Sequence, residues 1–143
     1  MLLIEKLLIL RSSEIFVNTP EQELIDLAMI LEEVLIEPGV KIFSKGDVGN
    51  CMYFIVKGKI RIHDGEHTFA ILEDGEILGE LSLMDSESRS ANATALEESI
   101  ILKLVQEPFY EIILDNADVL KGILKTLCKR LRDMDAKSVL RND

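Results

Sequence analysis

Apolar and polar positions alternate strictly along Lys59-Ile60-Arg61-Ile62-His63. The two isoleucines share one face and Lys59, Arg61 and His63 the other, as in a half-buried strand. Short stretches rich in β-branched and aromatic residues also occupy Val34 to Ile36, Val40 to Phe43, Met52 to Val56, Thr68 to Leu72 and Glu76 to Leu78, and two further strands are predicted from Ala91 to Ala95 and from Ser99 to Val105. Seven of the eight glycines fall between residues 39 and 79, so turns recur there every few residues. Pro38-Gly39, Lys57-Gly58, Asp64-Gly65 and Asp74-Gly75 supply the turn chemistry, with Asp-Gly a strong hairpin cue. The pattern predicts a small β-roll or barrel over residues 35 to 105.

Helical periodicity flanks this block on both sides. The opening MLLIEKLLIL reads as the start of an amphipathic helix: it is about half the length needed to span a bilayer, carries Glu5 and Lys6 within the run and has no small-residue cleavage site. Thr19 as N-cap, Pro20 in the first helical position and Gln22 closing a capping box predict a second helix through Leu24, Leu27, Ala28 and Leu31, ending near Val34. After Pro108 a short helix runs through Tyr110 and Ile113. Leu120, Leu124, Leu127, Leu131 and Met134 then repeat at spacings of four and three, an amphipathic stripe that either packs on the chain's own barrel or forms a seam with a second copy. The organisation is that of a single domain over residues 1–143: helices to residue 34, a barrel over 35–105 and closing helices over 107–137.

A chain of 143 residues that is 48% hydrophobic can bury a sizeable core. Its net charge of −10 removes any chain-wide positive field for nucleic acid or anionic lipid. The charge is unevenly shared, −14 over residues 1–120 and +4 over residues 121–143. Lys121, Lys125, Lys129, Arg130, Arg132 and Lys137 read as a solvated face that complements the acidic body and the helix dipole, with a patch for lipid or nucleic acid as the lesser alternative. Cys51 and Cys128 lie far apart with no CxxC pairing, which argues against a zinc knuckle and a disulfide scaffold and predicts a cytoplasmic setting.

Between Arg61 and Lys103 stand ten acidic residues and a single basic one, Arg89. One reading is a surface ion pair with Glu87 or Asp85, worth at most about 1 kcal/mol. The surrounding residues offer another. Gly79 lets the backbone turn tightly out of a strand, and Glu80-Leu81-Ser82-Leu83 can form one helical turn whose first amides attract a phosphate. Arg89 would add a forked, permanently charged donor, Ser90 a hydroxyl, and the small Ala91 room for another amide to approach. Glu80 would be repelled by a phosphate, so its plausible partner is a ribose hydroxyl. An anion site and a sugar acceptor nine residues apart describe a pocket for a nucleoside monophosphate.

Gly79-Glu80-Leu81-Ser82-Leu83 and Arg89-Ser90-Ala91 resemble the phosphate-binding cassette of cyclic nucleotide-binding domains, the sensor domains of the catabolite activator protein and protein kinase A regulatory subunit type. The resemblance extends through Pro38-Gly39 to Ile42, Lys45-Gly46-Asp47, Met52 to Val56 and Gly58, and covers residues 15 to 137. It implies a jelly-roll β-barrel flanked by helices, with the cassette over residues 78–92. Arg89 would lie on the cyclic phosphate, Glu80 on the ribose 2′-hydroxyl, and the last helix would be a lid over the base. Ser88 stands where many members have proline, Ser82 where alanine or glycine is usual and Asn92 where threonine or serine is common. If buried, the Ser82 hydroxyl and the Asn92 amide need partners.

The resemblance implies a regulatory module that binds cAMP or cGMP without catalysis or cofactor and transmits occupancy through its last helix, as a homodimer or as part of a longer polypeptide. Ser90 leaves the base open, since a hydroxyl residue after the arginine occurs in members of both preferences. Glu5-Lys6-Leu7-Leu8 and Gln106 to Tyr110 are similar to modules appended to bacterial membrane proteins. Few residues follow Leu140, too few for a helix-turn-helix, so the chain is not expected to read DNA itself. Two alternatives remain: a vestigial barrel that only dimerises, and a metal-dependent cupin, which needs about three converging histidines. His63 and His67 are expected to be solvated turn residues rather than ligands of a metal or of haem.

Overall fold

Eight strands form where alternation and glycine turns placed them. In a computed structural model describing residues 1–142, with side chains through residue 136, they are β1 (Glu32–Ile36), β2 (Lys41–Phe43), β3 (Cys51–Lys57), β4 (Ile60–Asp64), β5 (His67–Leu72), β6 (Ile77–Leu78), β7 (Asn92–Ala95) and β8 (Ser99–Val105). The Lys137 side chain lies outside the described residues. One sheet has the order β1-β8-β3-β6, the other β2-β7-β4-β5, and every pairing is antiparallel. The fold is a jelly-roll β-barrel with flanking helices. Cys51, Tyr53 and Ile55 of β3, Ile101 of β8, Leu78 of β6, Ile60 of β4 and Ala93 and Ala95 of β7 form one buried cluster that joins the two sheets.

By its internal packing the chain divides into two units, Ile30–Phe109 and Met1–Met29 with Tyr110–Asp143. The first holds all eight strands and a one-turn helix α3 (Ser82–Asp85) that packs on β3. The second holds α1 (Leu3–Ser12), a 3-10 turn (Glu14–Phe16), nearly all of α2 (Glu21–Ile30), the end of α4 (Gln106–Leu114) and α5 (Ala117–Asn142). Inside that unit Arg130 of α5 reaches Glu14 at 3.4 Å, Asn116 donates to the Glu23 carboxylate, and Gly122 lies against Asn18. Among the described residues no helix is long and apolar enough to cross a membrane.

Several local expectations are corrected. Helix α2 ends at Ile30 rather than near Val34, because residues 32 to 36 are drawn into the ladder with β8, Glu32 opposite Lys103 and Val34 opposite Ile101. Nonlocal pairing outweighs helical periodicity there. The helix also opens one residue late, with the Pro20 carbonyl accepting from Leu24, so Gln22 falls short of the capping-box position and pairs with Asp26. The apolar residues of α1 run around the helix rather than along one face, and only Leu10 is buried. Helix α4 starts at Gln106 and takes Pro108 into its first turn, where a missing N–H does no harm. Among the described residues of α5, Val119, Ile123 and Thr126 are buried and Leu127 is half-buried, whereas Leu120, Leu124, Leu131 and Met134 are exposed.

His63 also departs from expectation. A register shift at Ile62/His63 in the β4–β5 pairing breaks the alternation and turns the imidazole inward. It is buried, Nδ1 donating to the Gly65 carbonyl at 2.9 Å and Nε2 lying 2.7 Å from the Thr94 hydroxyl. His67 is exposed against Phe69, as a hairpin residue should be.

Tyr53 ties the core to a titration. Burial, and secondly its hydrogen bond with Cys51 Sγ at 3.1 Å, push the phenol well above its ordinary value of 10.0. With the folded value raised, the unfolded chain ionises first. The contribution of Tyr53 to stability is then complete below about pH 10 and declines as pH rises beyond it. Denaturant unfolding followed from neutral to strongly alkaline pH is expected to show a steeper loss for the wild type than for Y53F; equal slopes would contradict the assignment.

Candidate functional site

The site is built where the chain leaves β6. Gly79 has φ +71°, a left-handed conformation that glycine adopts without strain, and a Cβ there would overlap Nη1 of Arg89. Glu80 and Leu81 make a turn into α3, and Ser86 ends that helix at φ 56°. The chain then returns through Glu87, Ser88 and Arg89 and bends at Ser90 and Ala91 before it enters β7. This return strand is held by the loop between β2 and β3. Gly49 N–H donates to the Glu87 carbonyl at 3.0 Å, Arg89 N–H to the Asp47 carbonyl at 2.8 Å, and Gly46 N–H to the Arg89 carbonyl at 2.9 Å, with Val48 bridged to Ser88 between them. The backbone of Arg89 is thereby fixed from both of its peptide groups.

The loop is itself braced. The Asp47 carboxylate accepts from the Ser44 amide at 2.9 Å, and the Asn92 side-chain oxygen accepts from the Lys45 amide at 2.8 Å. Asn92 thus has the partner that its partial burial demands, and Ser88, in a proline position of the resembling family, enters a backbone bridge. At the other end of α3, Gln106 donates to the Leu83 carbonyl at 2.8 Å and to the Ser86 hydroxyl at 2.7 Å, linking the cassette to the first residue of α4.

Arg89 is 6% exposed. Its Nη2 donates to the Cys51 carbonyl at 2.6 Å and lies 3.6 Å from Cys51 Sγ. The guanidinium sits 4.3 Å over the Phe43 ring and 5.9 Å from that of Tyr53. No carboxylate is within ion-pair distance among the described residues, so the surface pair with Glu87 or Asp85 is not formed. Both of those acids are exposed. A desolvated cation held by a carbonyl and aromatic faces keeps most of its attraction for an anion.

A cavity of about 270 Å³ opens beside it. Of the residues singled out in the sequence, Gly79, Ser82, Arg89, Ser90 and Ala91 line it. Glu80 is half-buried in the adjoining turn and Leu81 is exposed, and neither is part of the lining. Ser82 thus brings a hydroxyl residue to the lining at the position where the resembling family usually has alanine or glycine. The opposite wall is apolar, from Phe43, Ile62, Leu72, Ile77 and Leu78. Sequence reasoning missed this wall, although the inward isoleucine of β4 and the apolar ends of β2 and β5 carried its signal. Among the described residues no three His, Cys, Asp or Glu side chains are grouped so as to hold a metal ion.

Comparison with known proteins places this geometry. Residues 33–116 match the family model described as Cyclic nucleotide-binding domain. The chain is 35% identical over 132 residues to the Cyclic AMP receptor protein of Thermus thermophilus, covering 88% of this chain and 61% of that protein. A crystal structure of the N-terminal domain of a transcriptional regulator from Streptomyces coelicolor superposes with a TM-score of 0.81 at 27% identity, covering 90% of this chain and 95% of that one. The regulatory domain of Toxoplasma gondii PKA, crystallised with cAMP, superposes with a TM-score of 0.70 at 26% identity over 77% of this chain and 44% of that one. The chain spans less than two thirds of the length of the curated relatives it matches. With Gly79, Ser82, Arg89, Ser90 and Ala91 gathered around one cavity, and with these matches, the chain belongs to the family of cyclic nucleotide-binding domains.

Proposed function

We propose that this domain binds a cyclic nucleotide, cAMP or cGMP, in the cavity beside Arg89, and that it acts by binding rather than by catalysis. The observation that carries the reading is the buried guanidinium without a carboxylate, set at the edge of a cavity of about 270 Å³. Such a volume is close to the lower end, about 300 Å³, of small-molecule sites. Arg89 takes the cyclic phosphate as a charge-assisted, forked donor. The amides at the start of α3 add dipoles of the same sense. Glu80, one residue after Gly79, accepts from the ribose 2′-hydroxyl. The apolar wall faces the sugar and base, and Ser90, at the rim, contacts the base edge.

Occupancy is read out mechanically. A phosphate drawn against Gly79 and Arg89 displaces α3, and the Gln106 bonds to Leu83 and Ser86 pass that displacement to the start of α4 and along the chain to α5. The unburied stripe Leu120, Leu124, Leu131 and Met134 makes α5 the seam of a homodimer. The effector resides in a longer polypeptide. Both thiols are free, which supports a cytoplasmic setting.

Replacing Arg89 with alanine is expected to weaken cAMP and cGMP binding about 10- to 100-fold in calorimetric titration, from the net worth of a hydrogen bond to a charged group. Unchanged affinity would remove Arg89 from the site, and absence of binding by the wild type would favour the vestigial barrel. E80Q is expected to weaken binding of the ribose nucleotide more than that of its 2′-deoxy analogue; equal losses would place the 2′-hydroxyl elsewhere. In sedimentation velocity the wild type is expected to run as a dimer and L124D/L131D as a folded monomer, and a monomeric wild type at all concentrations would exclude the seam.

A further inference from the structure

The strand β2 breaks its own alternation at the place where it meets the site. Lys41 lies opposite Thr94 and Phe43 opposite Ala93, so two steps along β2 correspond to one along β7. The extra residue is a bulge, and bulges re-aim side chains. As a result Ile42 and Phe43, neighbours in sequence, both pack toward the interior, which a regular strand forbids. The residue opposite Phe43 is Ala93, fully buried and with no side chain beyond Cβ to contest the space. The Phe43 ring then stacks on Tyr53, centroids 6.1 Å apart and planes 27° from parallel, and lies 4.3 Å beneath the Arg89 guanidinium.

From this geometry we infer that Phe43 is a positioning residue for Arg89: its bulge-directed ring, backed by Tyr53, holds the guanidinium plane so that the face of the charge is covered and its N–H edge is left for the anion. Three supports then define the side chain. The Cys51 carbonyl takes one N–H of Nη2, Phe43 covers one face, and Gly79 leaves the space in which Nη1 lies. A guanidinium on a flexible stem would otherwise lose rotamer freedom on meeting its ligand, and a pre-placed one has already lost it. The ring also shields the cation from water without supplying a competing negative charge, which a carboxylate in the same place would do.

The inference rests on the proposed binding of a cyclic nucleotide, and its test separates the two. The variants are F43L, which keeps an apolar side chain of similar bulk, and F43Y, which keeps the π face, each made in the wild type and in R89A. Calorimetric titration with cAMP and cGMP is expected to show F43L about three- to tenfold weaker for both nucleotides and F43Y within about twofold of the wild type. In the R89A background F43L should bring no further loss, because the effect acts through Arg89. An equal loss in both backgrounds, or a failure of F43Y to recover affinity, would overturn the role. A ligand-free readout stands beside it: the Arg89 side-chain Hε resonance is expected to be ring-current shifted in wild type and F43Y and to return toward the ordinary arginine position in F43L. If the wild type binds neither nucleotide, the proposed function fails while this resonance still decides the positioning role. An unshifted resonance in the wild type overturns that role, whatever the titrations show.

Discussion

One guanidinium, carried into the interior without a carboxylate to meet it, organises this domain. Removing an arginine from water costs several kcal/mol even after local relaxation, and a protein ordinarily recovers that by pairing the charge. Here the compensation is partial by construction. The Cys51 carbonyl at 2.6 Å offers a dipole and the rings of Phe43 and Tyr53 offer quadrupoles, each weaker than a unit charge. Of the ten acids between Arg61 and Lys103, nine are exposed and Glu80 is half-buried. Charges exposed to water are screened by it, whereas a buried charge acts on its neighbour with little screening. A chain of net charge −10 therefore still sets a buried, carboxylate-free cation beside a cavity.

The backbone around that charge is held more tightly than a loop requires. Arg89 is clamped through both its N–H and its carbonyl by Asp47 and Gly46, and the loop that clamps it is braced by Asp47 on Ser44 and by Asn92 on Lys45. Two irregularities complete the arrangement. The positive φ of Gly79 removes a Cβ from the space that the guanidinium uses, and the bulge in β2 brings Phe43 beneath it. Strained or irregular backbone persists where the surrounding structure over-determines it, and the regular ladders of β3, β4, β7 and β8 supply that surrounding here. The barrel is the rigid part against which a few departures from regularity acquire a purpose.

What the sequence revealed and what it concealed divide along the same line. All eight strands were legible because their signals are local: short stretches rich in β-branched and aromatic residues, strictly alternating in β4, with glycine turns such as Pro38-Gly39 and Asp64-Gly65 between several of them. The grouping of Gly79, Ser82, Arg89, Ser90 and Ala91 around one cavity was legible because they lie within thirteen positions of one another. The end of α2 was misread because residues 32 to 36 are decided by β8, more than sixty positions away. His63 was read as a solvated turn residue because a register shift leaves no trace in the amino acids that it displaces. Phe43 was hidden for the same reason, since regular alternation from Ile42 would have turned it outward. Alternation encodes which residues are apolar, but the pairing partner decides where a bulge falls.

The choice of arginine over lysine follows from the supports that the site provides. A guanidinium is planar and carries five N–H donors in a fixed fork, so it can rest one face on Phe43, give one N–H to the Cys51 carbonyl and still present an edge to an anion. An ammonium has no face to rest on an aromatic ring and no fixed direction for the donors that remain. It is also more strongly hydrated, so burial beside Ala91 and Leu78 would penalise it more. The cavity wall of Phe43, Ile62, Leu72, Ile77 and Leu78 sets an apolar surface beside that edge. In the proposed site, charge recognition would come from one side chain and shape recognition from the barrel's inner face, and the bulge in β2 is what brings the two together.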